Sequence, residues 1–293
     1  MKRRLYQLDV FTSKPYEGNP LAVITDGDGL SDRQMQAIAR EMNLSETVFV
    51  QKPSQNRALA RLRIFTTTRE LPLAGHPVIG TWFLLAQLGV VPASEGSVHI
   101  LQQTGAGILP VELEFHDGRP RRVIMTQKPA RFERAKLPAS ALAVALGLRS
   151  SDLHRSLPLE FASTGIFNLM VPLRSREALR RIHMNLHGLY KLLAKHAVMA
   201  YCFALDGSTR VYARGMLPWG VIEDPATGSA GGSLAAYLVN HGKLRVGDEL
   251  TITQGVEIGR PSQIHVEVRQ ERGKLVPRVS GSAVRIFEGQ LET

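Results

Sequence analysis

Two short stretches of the chain set polar groups against glycine. They are Glu70-Leu71-Pro72-Leu73-Ala74-Gly75-His76-Pro77 and Glu223-Asp224-Pro225-Ala226-Thr227-Gly228-Ser229-Ala230. Both read Glu-x-Pro-x-x-Gly, both run into an apolar helix-forming segment, and they lie 153 residues apart. A glycine step at a helix start leaves free amides aimed along a positive dipole, so Gly75, His76, Gly228 and Ser229 predict a site for a carboxylate or phosphate. The offset aligns His76 with Ser229 and Leu71 with Asp224, and capping alone does not require the polar His76, Ser229 and Asp224. His76 and Asp224 are therefore candidates for a functional site. Glu46 is a third, because it opens the otherwise apolar run Glu46-Thr47-Val48-Phe49-Val50, where a buried carboxylate is costly unless it has partners or work to do. Each also has a plainer reading: Asp224 as a turn cap, His76 as an exposed helix start, Glu46 as the wet end of a strand.

These residues need a scaffold. Alternating apolar positions predict strands over 5–11, 21–24, 46–50 and 58–65, with further strands at 98–101, 107–115 and 121–125. Ser31 is the expected N-cap of a helix over 32–42 that turns Met35, Ile38, Ala39 and Met42 to one face. A second helix is expected over 78–88, closed by Gly89. Beyond Lys128-Pro129, helices are expected over 138–146, 175–182 and 186–195, with one more after the second turn, ending at Gly242. Strands are expected at 160–163, 167–171, 197–205, 210–213, 249–253, 263–268, 275–279 and 284–287. Gly75 and Gly228 each precede their closing glycine by 14 residues, and Val111-Glu112-Leu113-Glu114-Phe115 and Ile264-His265-Val266-Glu267-Val268 repeat the 153-residue offset. Turn, helix and strand sharing one offset predict two copies of one α+β unit.

At 293 residues the chain is long enough for two domains. The expected boundaries are 1–127 and 128–282, with the terminal strand 283–293 returning to the first. Hydrophobic residues at 44% and charged residues at 21% fit a protein with a substantial core. No apolar run is long enough for a membrane helix or an export signal, since Asp9 interrupts the first, so a cytoplasmic protein without membrane association is expected. The net charge of +10 could suit nucleic acid, but the basic residues form no stripe and aromatics do not interleave with them. Nucleic acid is not an expected partner. The single cysteine, Cys202, excludes an internal disulfide and any two-thiol mechanism, and its apolar surroundings mark it as structural.

The two turns, together with Gly18-Asn19-Pro20-Leu21-Ala22-Val23 and Asn43-Leu44-Ser45-Glu46-Thr47-Val48-Phe49, resemble the PhzF phenazine-biosynthesis-like family in motif and order over nearly the whole chain. The resemblance implies a diaminopimelate-epimerase-like α+β fold. This has two pseudo-symmetric domains, each a mainly antiparallel sheet wrapped around a central helix, with the active-site cleft between them. It implies an isomerase that uses neither metal nor organic cofactor, as in the family's isomerisation of trans-2,3-dihydro-3-hydroxyanthranilate. By the same resemblance Glu46 moves the proton, while His76 and Asp224 orient the substrate and tune the transfer. Gly75, Gly228 and Ser229 hold its carboxylate, Asn19 and Ser45 support the site, and the enzyme is a homodimer. Two positions depart from the family pattern: Thr67 follows Phe65-Thr66 where a proline is usual, and Val78 replaces a threonine.

The expected function is thus cofactor-independent proton transfer on a small carboxylated metabolite. Two alternatives stand beside it. One is a non-catalytic small-anion binder. The other is a hydrolase using Ser229, His76 and Asp224 as a nucleophilic triad, although Ser229 lacks the Gly-x-Ser-x-Gly setting of such enzymes.

Overall fold

A helix without a polar face must be enclosed on every side, and among the described residues there are two of them. Gly75–Gln87 buries every residue from His76 through Ala86. Gly228–Asn240 buries Gly228 and the whole run from Ala230 through Leu238. A computed structural model describes residues 2–193, 196–219 and 223–293. The chain divides into two compact units, Met1–Met125 with Ser280–Thr293, and Thr126–Val279. Each contains one of these helices.

The first unit runs β1 (Lys2–Val10), β2 (Asn19–Ile24), α1 (Asp32–Met42), β3 (Glu46–Gln51), β4 (Ala60–Phe65), β5 (Glu70–Leu71), α2 (Gly75–Gln87), β6 (Gly96–Thr104), β7 (Gly107–His116) and β8 (Arg119–Thr126). β1 and β2 pair antiparallel, β2 and β3 parallel, and β3 and β4 antiparallel. β4 then takes the short β5 antiparallel and β6 parallel, and β6, β7 and β8 continue antiparallel. α1 begins at a capping box between Ser31 and Gln34 and ends at Asn43 in the left-handed conformation. Met35 and Ala39 are buried in its core cluster, with Ile38 and Met42 packed against it.

The second unit runs β9 (Arg131–Arg134), α3 (Ala139–Ala145), β10 (Glu160–Ser163), β11 (Phe167–Leu173), α4 (Arg176–Arg180), α5 (Leu186–Leu193), β12 (Ala200–Leu205), β13 (Arg210–Met216), β14 (Glu223–Asp224), α6 (Gly228–Asn240), β15 (Glu249–Gln254), β16 (Ser262–Glu271) and β17 (Lys274–Gly281). Its ladder repeats the first: β10–β11 antiparallel, β11–β12 parallel, β12–β13 antiparallel, β13 with β14 antiparallel and with β15 parallel, then β15–β16 antiparallel. β5 and β14, α2 and α6, and β6 and β15 each start 153 residues apart. The last strand, β18 (Ala283–Glu292), pairs antiparallel along β1.

α2 is longer than its apolar pattern suggested. It starts at Gly75 rather than Val78, because Pro77 is tolerated in a first turn, where its missing N–H would have no helical partner. Residues 194–195 of the helix expected over 186–195 lie outside the described residues. Glycine sets how closely the strands approach α2: a Cβ on Gly80 would stand 2.6 Å from Val10 Cγ2 and 2.7 Å from Leu21 Cδ2. Cys202 is wholly buried on β12, where burial pushes its thiol far up, so it is chemically inert. Among the described residues no helix is long and apolar enough to cross a membrane.

Candidate active site

In the first unit, the predicted residues collect at one end of the β2–β3 pair and at the start of α2. Asn19 is the first residue of β2 and wholly buried. Gly18 places it from a positive φ of 66°, with no room for a side chain against Val10 O and Thr12 Cγ2. Ser45 precedes Glu46, the first residue of β3, which lies opposite Leu21 in the parallel register. Gly75 and His76 are the first two residues of α2.

Glu46 and His76 meet. His76 Nε2 lies 3.3 Å from Glu46 Oε2, with the two side chains 8% and 16% exposed. Burial pushes the imidazole down to about 3, so it stays neutral despite the adjacent carboxyl group. The contact is close but not aligned as a hydrogen bond. A neutral imidazole nitrogen can either donate or accept, depending on the tautomer. It can therefore face an ionised or a protonated carboxyl group without carrying charge itself.

In the second unit, Asp224 ends β14, while Gly228 and Ser229 open α6. The N-cap of α6 is Thr227, yet its hydroxyl does not cap the helix. It donates instead to Asp224 Oδ2 at 2.6 Å. The N-cap of α2, Ala74, has no side-chain cap either, whereas Ser31 and Ser175 cap their own helices. Neither buried helix has an acidic residue in its first turn. Both N-termini thus keep the donor character that favours an anion. The peptide carbonyls behind α6's first turn are tied back: Gly228 O accepts from Gln127 Nε2 at 3.0 Å, and Ser229 O from Thr164 Oγ1 at 3.3 Å and Ser233 Oγ at 3.0 Å.

Several of these supports were not found by reading the chain. Buried Gln254 donates to Asp224 O at 2.8 Å and to Thr227 Oγ1 at 3.0 Å, although it is 30 residues away in sequence. No local pattern marks it. Thr227 did carry a signal, since the repeat places it opposite Ala74. The glutamates that open the two turns hold arginines on the preceding long strands: Glu70 pairs with Arg63 and Glu223 with Arg214.

The repeat also shows what is not duplicated. Thr47 and Ala200 stand opposite Phe65 and Met216, the strand partners of Glu70 and Glu223, so Met199 is the counterpart of Glu46. Only one of the two units carries the carboxylate. Within their own units, His76 lies against Glu46 and Asp224 Oδ2 accepts from the Thr227 hydroxyl. Among the described residues, the donor atoms close enough to share a metal ion belong to exposed Glu95, His116 and Asp117, none of them a predicted site residue.

The family model for phenazine biosynthesis-like proteins matches residues 8–289. A trans-2,3-dihydro-3-hydroxyanthranilate isomerase of Pseudomonas aeruginosa is 39% identical over 98% of this chain and 98% of its own. The crystal structure of a PhzF-family phenazine biosynthesis protein from Bacillus anthracis superposes with a TM-score of 0.90 at 30% identity, covering 100% of both chains. A probable proline racemase of Agrobacterium radiobacter shares the fold alone, with a TM-score of 0.70 at 15% identity over 99% of this chain and 93% of its own. By matched length and identity, the chain belongs to the phenazine biosynthesis-like protein family and is an isomerase.

Proposed function

We propose that Glu46 is the group that takes up and returns the proton in this isomerase. The reading rests on one observation: Glu46 Oε2 lies 3.3 Å from a buried imidazole that burial keeps neutral. A carboxylate that must hold a proton for part of the cycle needs a neighbour that tolerates both of its charge states. A permanently charged partner would favour one state, whereas neutral His76 can donate to the carboxylate or accept from the acid. The absence of a carboxylate at the matching position, Met199, supports a single group working at both positions, so that removal and return of the proton use the same carboxyl group.

The substrate class is a small carboxylated metabolite. The uncapped starts of α2 and α6, at Gly75, Gly228 and Ser229, support binding of its carboxylate, with Asn19 and Ser45 shaping the region beside Glu46. Asp224 completes the set as a hydrogen-bonding group for the substrate. On the strength of the Pseudomonas aeruginosa relative, trans-2,3-dihydro-3-hydroxyanthranilate is the substrate to test first. This reading includes a homodimer, to be checked by sedimentation, and involves neither nucleic acid nor membrane.

The test is isomerisation of that compound in heavy water. Glu46→Gln should leave folding and ligand binding in place and abolish both turnover and deuterium incorporation. Turnover by the variant at the wild-type rate would remove Glu46 from the role.

A further inference from the structure

Four side chains of the second unit form one buried chain that ends on Asp224. Tyr201 Oη donates to Gln254 Oε1 at 2.7 Å, and the Thr227 backbone N–H donates to the same oxygen at 3.2 Å. Gln254 Nε2 donates to Asp224 O at 2.8 Å and to Thr227 Oγ1 at 3.0 Å. The Thr227 hydroxyl then donates to Asp224 Oδ2 at 2.6 Å. Tyr201 and Gln254 are wholly buried.

The polarity of this chain is set at one point. A backbone N–H can only donate, so the Gln254 atom it meets must be the amide oxygen, and the amide nitrogen must face Thr227. Having accepted there, the threonine has its single proton left for Asp224. Hydrogen-bond donation to a carboxylate favours the ionised form. Ser262 fixes the same turn from behind, its hydroxyl within donating reach of both Pro225 O at 3.1 Å and Gln254 O at 3.2 Å.

The first unit shows that the turn does not need this chain in order to fold. There Asp224 is replaced by Leu71 and Thr227 by Ala74. Arg63 and Arg214 occupy matching places two residues before the strand partners of Glu70 and Glu223. Continuing the β4–β6 register one residue from Arg61↔Gln103 sets Thr104 where the second unit has Gln254. The Thr104 hydroxyl donates within its own hairpin, to Gly107 O at 3.4 Å. The first turn is instead held by Ala106 N–H on Pro72 O at 3.0 Å. Threonine, glutamine and aspartate are present together in one copy and missing together in the other.

We propose that Gln254, acting through Thr227, is a positioning residue that holds Asp224 as an oriented carboxylate for the isomerase reaction. The inference rests on the reading of Asp224 as part of the site. The other titratable or charged groups around the turn are Tyr201 on β12, the Arg214–Glu223 pair on β13 and β14, and Glu257 and Arg260 on the turn after β15.

The test uses the full-length chain, with Asp224 followed by carbon-13 carboxyl NMR and assigned by its loss in Asp224→Asn. Thr227→Val keeps the shape and deletes the donor. Gln254→Glu puts an acceptor where the amide nitrogen was and draws the threonine proton away. Each should raise the midpoint of Asp224 by roughly one pH unit. Each should also lower kcat on trans-2,3-dihydro-3-hydroxyanthranilate by roughly 10- to 100-fold, with a smaller change in KM. Thr227→Ser restores the hydroxyl and should bring both values back near wild type. An unmoved Asp224 titration in folded Thr227→Val or Gln254→Glu overturns the proposal, as does a Thr227→Ser variant no better than Thr227→Val. Full activity of Asp224→Asn would overturn the role given to Asp224 in catalysis, and with it the positioning role, whatever the titrations show.

Discussion

The Glu70 carboxylate grips the Arg63 guanidinium with both oxygens, Oε1 accepting from Nε at 2.7 Å and Oε2 from Nη2 at 2.6 Å. The same fork recurs between Glu223 and Arg214, at 3.0 and 2.6 Å. In each unit it clamps the short strand before the turn onto the preceding long strand, and so fixes where the buried helix starts. The acidic residue opening each turn is thus a brace for the loop, not a reacting group.

Burial separates the two braces energetically. Arg214 and Glu223 have side chains 9% and 5% exposed, and Arg214 also donates to Leu179 O and Ile182 O. Glu70 is 38% exposed, so water screens its pair. Arg214→Met should cost about 3–5 kcal/mol, because it strands a buried carboxylate. Arg63→Met should cost about 1 kcal/mol or less. Urea unfolding of the two variants checks the ranking, and equal losses would contradict it.

His76 makes stability depend on pH. Its folded-state value of about 3 lies below the ordinary one near 6.5, so between these limits the unfolded chain binds the extra proton. Stability from this group is complete above about 6.5 and falls as pH drops toward 3, by up to about 1.4 kcal/mol per pH unit. The chain has nine histidines, so the comparison is with His76→Gln. Its unfolding free energy between pH 7 and pH 4.5 should fall less steeply than that of wild type. Parallel curves would mean that the imidazole is not held neutral in the fold.

Much of this arrangement could be read from the chain because it is local. The Ser31 cap, the apolar faces of the helices and the glycine-led turns are set by neighbouring residues, and the repeat aligned turns, helices and strands through one constant offset. Glu46 could be singled out because a carboxylate opening an apolar strand needs a reason. What stayed hidden was the support at long range. Gln254 and Arg214 look like ordinary strand residues, and Gln127 sits in a linker. Their roles arise only when the fold brings them to their partners, as with Gln127 at Gly228 O and Gln254 at Asp224 O, and this leaves no periodic trace. The start of α2 was misplaced for a different reason: Pro77 reads as a helix boundary, although a first turn accepts it.

The glycines of the two buried helices should respond differently to alanine. In a helix the change is worth about 1 kcal/mol in favour of alanine. At Gly231 the new Cβ would meet Ile252 Cδ1 at 3.1 Å, the movable end of a side chain, so the gain and the contact should nearly cancel. At Gly80 it would press on Val10 Cγ2 at 2.6 Å and Leu21 Cδ2 at 2.7 Å, both wholly buried. Overpacking of that kind costs about 1–3 kcal/mol and should outweigh the helix gain. A lower melting temperature for Gly80→Ala than for Gly231→Ala is the expected result, and the reverse order would mean that the sheet around α2 yields easily.

Glu46→Asp tests whether placement as well as charge matters. The variant keeps a carboxylate but withdraws it by one methylene from a contact of 3.3 Å to His76. A general acid or base must come within hydrogen-bond reach of the proton it moves, and a displacement near 1 Å can cost about 100-fold. If Glu46 carries the proton, Glu46→Asp should keep ligand affinity and lose roughly 100-fold in kcat. Glu46→Gln should show no exchange at all. If the carboxylate served only as a negative charge for binding, Glu46→Asp would turn over at close to the wild-type rate with KM raised. Rate and KM measured on the same variant separate the two roles.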